Sequence, residues 1–222
     1  MQYLYYQDAG AKHLTLTGDE HRYIFKVRRH RAGETIMLRN LNDQNIYSYN
    51  IESMDKKEAS LLLSSQRELR VEAKQPLHIG WCMIEPKNIE KLLPTLNEIG
   101  VDKITFIECQ RSQKNFKLDL KRLEKILLNS SQQCGRSVMM QLSQSQSIES
   151  FITAYPQAHM LNFSPNILSK TSTIETLLVG CEGGFTPEEI SLVAKEQILA
   201  FDSPLILKSE SAVCAVASKV LL

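Results

Sequence analysis

Two short stretches near the C-terminal end of this chain hold the residues best suited to chemistry, and both are loops that open helices. In the first, the apolar run from Leu177 to Val179 gives way to Gly180-Cys181-Glu182-Gly183-Gly184, and a helix start follows at once. Thr186 is the expected N-cap, Pro187 the first helical residue, and Glu189 the partner that closes a capping box. In the second, the apolar run Leu205-Ile206-Leu207 ends in Lys208-Ser209-Glu210-Ser211, opening an expected helix from Ala212 to about Leu221. Glycine lets backbone approach a ligand closely, and a helix N-terminus offers free N–H groups. Two such units can therefore surround one small ligand with backbone donors and acceptors. A single Gly-Gly pair reads equally well as a tight turn between buried strands; the two units together are more specific.

Other residues have a functional and a plainer reading. Arg136 lies one helical turn from Gln133 (i, i+3), so both can face one side; an arginine there can also cap the helix C-terminus. Glu182 can serve as an acceptor for local amides, and His21 can be an ordinary satisfied histidine. Between positions 21 and 31 stand Arg22, Lys26, Arg28, Arg29 and Arg31 with no carboxylate, interleaved with Tyr23 and Phe25. Cations meet phosphates and aromatic rings stack on bases, so the run suits RNA. The alternative is a solvated basic face.

The whole-chain balance conceals that run, because the formal net charge is only +1 and the chain is mildly acidic from Glu149 onward. With 43% hydrophobic and 23% charged residues, the composition is that of a soluble globular protein. No run approaches the ~20 apolar residues of a membrane-spanning helix, so no membrane partner is expected. The N-terminus, Met1 to Tyr6, lacks the basic region and cleavage site of a signal peptide. The five cysteines, at 82, 109, 134, 181 and 214, are scattered and without a CxxC pair. That argues against a disulfide framework or a zinc site and for reduced thiols in the cytoplasm. Neither GxGxxG nor the phosphate-loop pattern GxxxxGK with Ser or Thr occurs.

The elements that must position these residues fall into two domains, 1–74 and 75–222. Residues 1–74 read as all-β with one short helix after Thr17. Strands are expected at Tyr3–Tyr6, Leu14–Leu16, Thr35–Arg39, Ile46–Ile51 and Ala59–Leu63, a spacing that suggests a small barrel. The polar segment ending in Pro76 marks the boundary. Beyond it strands and helices alternate, as in a mostly parallel α/β sheet. Strands are expected at Leu77–Ile84, Ile104–Glu108, Met139–Leu142, His159–Phe163, Leu177–Gly180 and Leu205–Leu207. One helical stripe runs from Ile89 to Ile99 with Pro94 inside it and Gly100 ending it, and a second from Leu120 to Cys134. The segment Ser143–Ser147 reads as a polar loop.

The paired loops resemble the cofactor site of the SPOUT-class methyltransferases, and most of all the RsmE-type family that methylates uracil N3 in small-subunit (16S) ribosomal RNA. That family shows Gly-Pro-Glu-Gly-Gly, and later Leu-Gly-x-x-Ile-Leu-Arg-x-Glu-Thr. Here Cys181 replaces the proline, Asp202-Ser203 replace Leu-Gly, and Lys208-Ser209-Glu210-Ser211 replace Arg-x-Glu-Thr. Further matches follow in order: His21, Val27-Arg28-Arg29 with Gly33-Glu34, Asn97–Val101, the strand end Glu108–Ser112 with Arg111, and Gln132-Gln133-Cys134-Gly135-Arg136.

The resemblance implies an N-terminal PUA-like β-barrel and a C-terminal SPOUT α/β domain with a trefoil knot, which composition alone would never suggest. It also implies a homodimer packed through the knotted domains, acting in the cytoplasm on ribosomal RNA or the small ribosomal subunit. S-adenosylmethionine would be held by Leu161, Gly180, Glu182, Gly183, Gly184, Leu205, Leu207 and Ser209. Arg136, Lys208 and Glu210 would carry catalysis, and Arg22, Lys26, Arg28, Arg29, Arg31 and Arg111 would meet RNA. No metal is implied. Lys208 departs from the family arginine, replacing a bidentate fork with a point charge. Two other readings stay open: a SPOUT methyltransferase for another RNA position, and a noncatalytic RNA-binding protein with a degraded site.

Overall fold

Leu14 and Leu16 are buried while His13, Thr15 and Thr17 are exposed, the alternation of a strand with one face on a core. A computed structural model describes residues 2–113, 115–169 and 174–222 and builds this pattern into the first of two units. That unit comprises Met1–Glu72 and Ser131–Met139. Its strands β1 (Leu4–Tyr5), β2 (His13–Thr17), β3 (Thr35–Arg39), β4 (Asn45–Met54) and β5 (Glu58–Glu68) form one sheet in the order β1-β3-β4-β5-β2. All pairs are antiparallel except β1 with β3. Register shifts between β4 and β5 at Ser48/Tyr49 and Ile51/Ser53 are bulges, which add twist to a sheet. Leu16, Leu38, Tyr49, Ile51 and Leu61 fill the core.

The short helix expected after Thr17 is α1 (Gly18–His21), which continues into a π-helical segment, Arg22–Val27. Ile24 and Phe25 point into the core, so the cations around them stay outside. His21 is 4% exposed, its Nε2 is 3.2 Å from the Asp55 carbonyl, and its ring packs on Phe25. It is a satisfied core histidine.

The second unit comprises Ala73–Ser130 and Met140–Leu222. Six parallel strands are ordered β11-β9-β10-β6-β7-β8. They are β6 (His78–Cys82), β7 (Lys103–Ile107), β8 (Gln141–Ser145), β9 (His159–Leu161), β10 (Thr176–Val179) and β11 (Ile198–Leu199). Every residue of β6 is buried, as a strand covered on both faces requires. A Cβ on Gly80 would lie 2.7 Å from the Phe151 ring and 2.9 Å from Leu178, so only glycine fits there. Helices α2 (Pro86–Ile99), α3 (Leu120–Cys134), α4 (Ile148–Ala154), α5 (Pro187–Ile190) and α6 (Ser209–Leu221) complete the chain. Helix α2 runs through Pro94 and stops at Gly100, whose φ of 110° ends it as expected. Helix α6 packs on α2 and on β10.

Three expectations need correction. Ser143–Ser145 is not loop but part of β8, shifted from the expected Met139–Leu142. It pairs along β7 through backbone bonds that ignore side-chain polarity, with Ser143 Oγ 2.7 Å from Thr105 Oγ1. Leu205–Leu207 is not a strand: Leu205 and Ile206 are 75% and 81% exposed. Pro204 has no N–H for a ladder, and Ser203 Oγ takes the Leu205 N–H at 3.1 Å; the strand is the earlier Ile198–Leu199. Finally, α3 stops at Cys134 and Gly135 has φ 89°. Arg136 therefore lies beyond the helix, and the i, i+3 relation to Gln133 does not hold.

Candidate active site

The loop after β10 is built by its own sequence. Gly184 N–H donates to the Cys181 carbonyl (3.0 Å), closing a turn in which Gly184 takes φ 66°. The capping box at Thr186 is present in full. Glu189 N–H donates to Thr186 Oγ1 (3.3 Å), and Thr186 N–H donates to Glu189 Oε2 (2.9 Å). The second loop, residues 201–208, runs along the surface to α6. Between the two loops and the end of β9 lies a cavity of about 310 Å³. Leu161, Gly180, Glu182, Gly183, Gly184, Leu205, Leu207 and Ser209 all line it, together with apolar Val179, Phe185 and Ala212.

Three contacts fix these loops. Ser209 Oγ donates to the Gly180 carbonyl (2.5 Å) and accepts from buried Trp81 Nε1 (2.9 Å), so α6, the β10 loop and β6 meet at one hydroxyl. Arg111 Nη1 donates to the Gly183 carbonyl (2.7 Å), and the arginine stem lies where a Gly183 side chain would go, 3.1 Å from an ideal Cβ. Glu189 is 5% exposed, and its Oε1 accepts from Gln110 N–H at 2.7 Å while Oε2 holds the cap. The loop after β7 thus braces the loop after β10.

Of the residues expected to carry catalysis, Lys208 is exposed at the N-cap of α6, and Glu210 follows in its first turn. Glu210 Oε1 accepts from Asn88 Nδ2 (2.9 Å), while Oε2 is buried with no hydrogen-bond partner among the described residues. Arg136 belongs to the all-β unit. It is 5% exposed, its Nε donates to the Val138 carbonyl (2.9 Å), and its own carbonyl accepts from the Tyr3 hydroxyl (2.8 Å). Arg22, Lys26, Arg28, Arg29 and Arg31 are all exposed on the all-β unit. Arg28 stacks on Tyr23 (5.3 Å) and its Nη2 donates to the Tyr23 hydroxyl (2.8 Å). Arg29 takes the left-handed backbone conformation, with φ 63°. Arg111 stands apart from these five, on the brace of the cavity loop.

Trp81 and Asn88 are parts of the site that no motif flagged, and Gln110 lies inside the matched strand end Glu108–Ser112 without its contact being legible. Each acts through a residue 79 to 128 positions away, a pairing that a single sequence carries no signal for. Glu189 carried half a signal, since its capping box was legible and its second oxygen was not. Among the described residues, no group of three or more His, Cys, Asp or Glu is arranged to hold a metal ion.

Residues 71–221 match the RNA methyltransferase domain family, and residues 16–64 the RNA methyltransferase PUA domain family. The chain is similar in fold to the ribosomal RNA small subunit methyltransferase E of Neisseria gonorrhoeae bound to S-adenosyl methionine, with a TM-score of 0.80, 17% identity, and 98% and 95% of the two chains covered. It is similar also to a putative methyltransferase from Legionella pneumophila in complex with SAM, with a TM-score of 0.79, 23% identity, and 97% and 94% covered. The architecture is thus a PUA-like unit followed by a SPOUT α/β unit. In sequence the chain is 36% identical, over 98% of both proteins, to the ribosomal RNA small subunit methyltransferase E of Helicobacter pylori. At that identity and coverage, this chain belongs to the ribosomal RNA small subunit methyltransferase E family.

Proposed function

We propose that this chain methylates N3 of a uridine in small-subunit (16S) ribosomal RNA, with S-adenosylmethionine as methyl donor. The observation that carries the reading is the convergence of both loops on one cavity in a chain of this family. A volume of about 310 Å³ falls in the range of small-ligand sites. Apolar Leu161, Val179, Phe185 and Ala212 suit a flat heterocycle, and the backbone of 180–184 and 205–209 suits its polar edges and a ribose.

Bound S-adenosylmethionine would supply a methyl group already activated by its sulfonium. The protein's task is then positioning and charge stabilisation. Lys208, exposed beside the cavity loop, would stabilise negative charge on uracil as N3 loses its proton. Glu210 would take or hold a hydrogen bond on Oε2, with Asn88 fixing its other oxygen. Arg136, held by Val138 and Tyr3, is the third group assigned to RNA phosphate or base. The five cations of the PUA-like unit would bind phosphates along the RNA.

This reading includes a homodimer, a trefoil knot in the SPOUT unit, and action in the cytoplasm. Exposed Phe163, Leu205 and Ile206, at 80%, 75% and 81%, support a covered surface next to the cavity. Light scattering at micromolar concentration tests the dimer, and a monomer there removes it. The function is tested by mass spectrometry of ribosomal RNA from cells with and without the gene. The expected result is one N3-methyluridine in the small-subunit RNA that disappears with the gene and returns with it. An unchanged modification pattern overturns the assignment.

A further inference from the structure

Three of the five scattered cysteines converge at the wall of the cavity. Cys109 lies in the loop just after β7, Cys181 is the second residue of the glycine loop and lines the cavity, and Cys82 ends β6. All three are buried thiols. Cys109 Sγ and Cys181 Sγ are 3.5 Å apart, and Ser112 Oγ is 2.9 Å from Cys109 Sγ. Contact with the Cys181 and Cys82 thiols and with the Ser112 hydroxyl holds the Cys109 thiol below its ordinary pKa. Bonding to Cys109 and burial push the Cys82 and Cys181 thiols up. Two buried thiols held this close are a short movement from a disulfide.

We propose that Cys109 and Cys181 form an oxidisable pair that closes to a disulfide under peroxide and weakens binding in the adjoining cavity. The proposal rests on the reading of that cavity as the S-adenosylmethionine site. The chemistry balances in two steps. Cys109 thiolate attacks hydrogen peroxide, taking one oxygen as sulfenic acid and releasing hydroxide. Cys181 sulfur then attacks the Cys109 sulfur, the S–O bond breaks, and the Cys181 proton leaves with the oxygen as water. Over both steps two thiols and one peroxide give one disulfide and two waters.

A disulfide has an S–S length of about 2.05 Å, so the sulfurs must close by about 1.5 Å. Neither cysteine lies in a helix or strand, so a loop can supply that movement. The loop that carries Cys181 also carries Gly180, Gly183 and Gly184, and Cys181 closes its turn by accepting from Gly184 N–H. Drawing Cys181 toward Cys109 therefore changes the backbone that faces the ligand. Proline, the residue that the RsmE-type family commonly has at this position, offers no such chemistry.

The experiment uses the full chain, reduced and then treated with hydrogen peroxide. Peptide mass mapping without reductant locates the bond, and calorimetry measures S-adenosylmethionine affinity before and after. The expected result is a 109–181 linked peptide lighter by two hydrogens, an affinity at least tenfold weaker, and recovery on adding dithiothreitol. Cys109→Ser is expected to show the same affinity before and after peroxide, and Cys109→Ala serves if that variant does not fold. Cys82→Ser is expected to keep the response. A wild-type protein that forms no 109–181 bond, or forms it with unchanged affinity, overturns the proposal. Reduced protein that binds no S-adenosylmethionine overturns the reading of the cavity instead.

Discussion

The Ser209 hydroxyl donates to the Gly180 carbonyl across 29 positions of sequence, at 2.5 Å, and accepts from the indole N–H of Trp81. The first residue of α6 therefore holds the first residue of the glycine loop, with a fully buried tryptophan behind both. Replacing Ser209 with Ala strands a buried N–H and a carbonyl at once. A buried polar group left unpaired costs about 1–3 kcal/mol. The variant is expected to lose about 2–4 kcal/mol in denaturant unfolding and to bind S-adenosylmethionine more weakly. A midpoint equal to the parent's removes the hydroxyl from this role.

Gly183 tests the same loop from its other side. A side chain there meets the stem of Arg111 at 3.1 Å, and Arg111 is held in place by its bond to the Gly183 carbonyl. Gly183→Val is expected to leave circular dichroism unchanged and to weaken cofactor affinity at least tenfold. A folded variant with parental affinity in calorimetry would show that this backbone does not approach the ligand.

These two contacts mark what a sequence does and does not carry. The capping box at Thr186 and Glu189, the glycine stop of α2 and the buried run of β6 are local, so their residue types reveal them. Seven of the eight residues assigned to the cofactor came from two local motifs, and Leu161, at the end of β9, lines the same cavity. The brace formed by Arg111, Gln110 and Glu189 is set by strand order, which brings the ends of β7 and β10 near each other with β6 between them. Arg111 shows the difference: as a cation it reads as an RNA contact, and its structural bond is to a carbonyl. The misread Leu205–Leu207 has a related cause. Its hydrophobicity looks like a strand, yet Leu205 and Ile206 lie exposed at the cavity rim, so an apolar run alone does not report a core.

His78 makes a pH prediction. It is 8% exposed at the start of β6, with Nε2 2.7 Å from Thr105 Oγ1, and burial, aided by nearby Lys103, lowers its pKa to about 4. The unfolded chain has an ordinary histidine pKa near ~6.5. Between these values the unfolded state takes up a proton that the folded state refuses. The stability from this group is therefore fully present above about pH 6.5 and is lost as pH falls toward about 4. In NMR titration the His78 ring is expected to stay neutral at pH 5.5, and a midpoint at or above 6.5 contradicts the burial argument.

The basic run divides labour with the cavity. Arg28 and Arg29 are exposed on the PUA-like unit, the first braced on Tyr23 and the second at a backbone φ of 63°. Each phosphate contact adds about 0.7–0.9 to the slope of log affinity against log salt, through release of bound counterions. The Arg28→Ala/Arg29→Ala double variant is thus expected to bind ribosomal RNA fragments more weakly and to flatten that slope by about 1.5. Its affinity for S-adenosylmethionine is expected to match the parent's, because both side chains belong to the unit that lacks the cavity. Titrations at three or more salt concentrations, with one cofactor titration per variant, supply the comparison. Unchanged RNA affinity and slope would make the run a solvated face, and a parallel loss of cofactor affinity would tie it to the cavity after all.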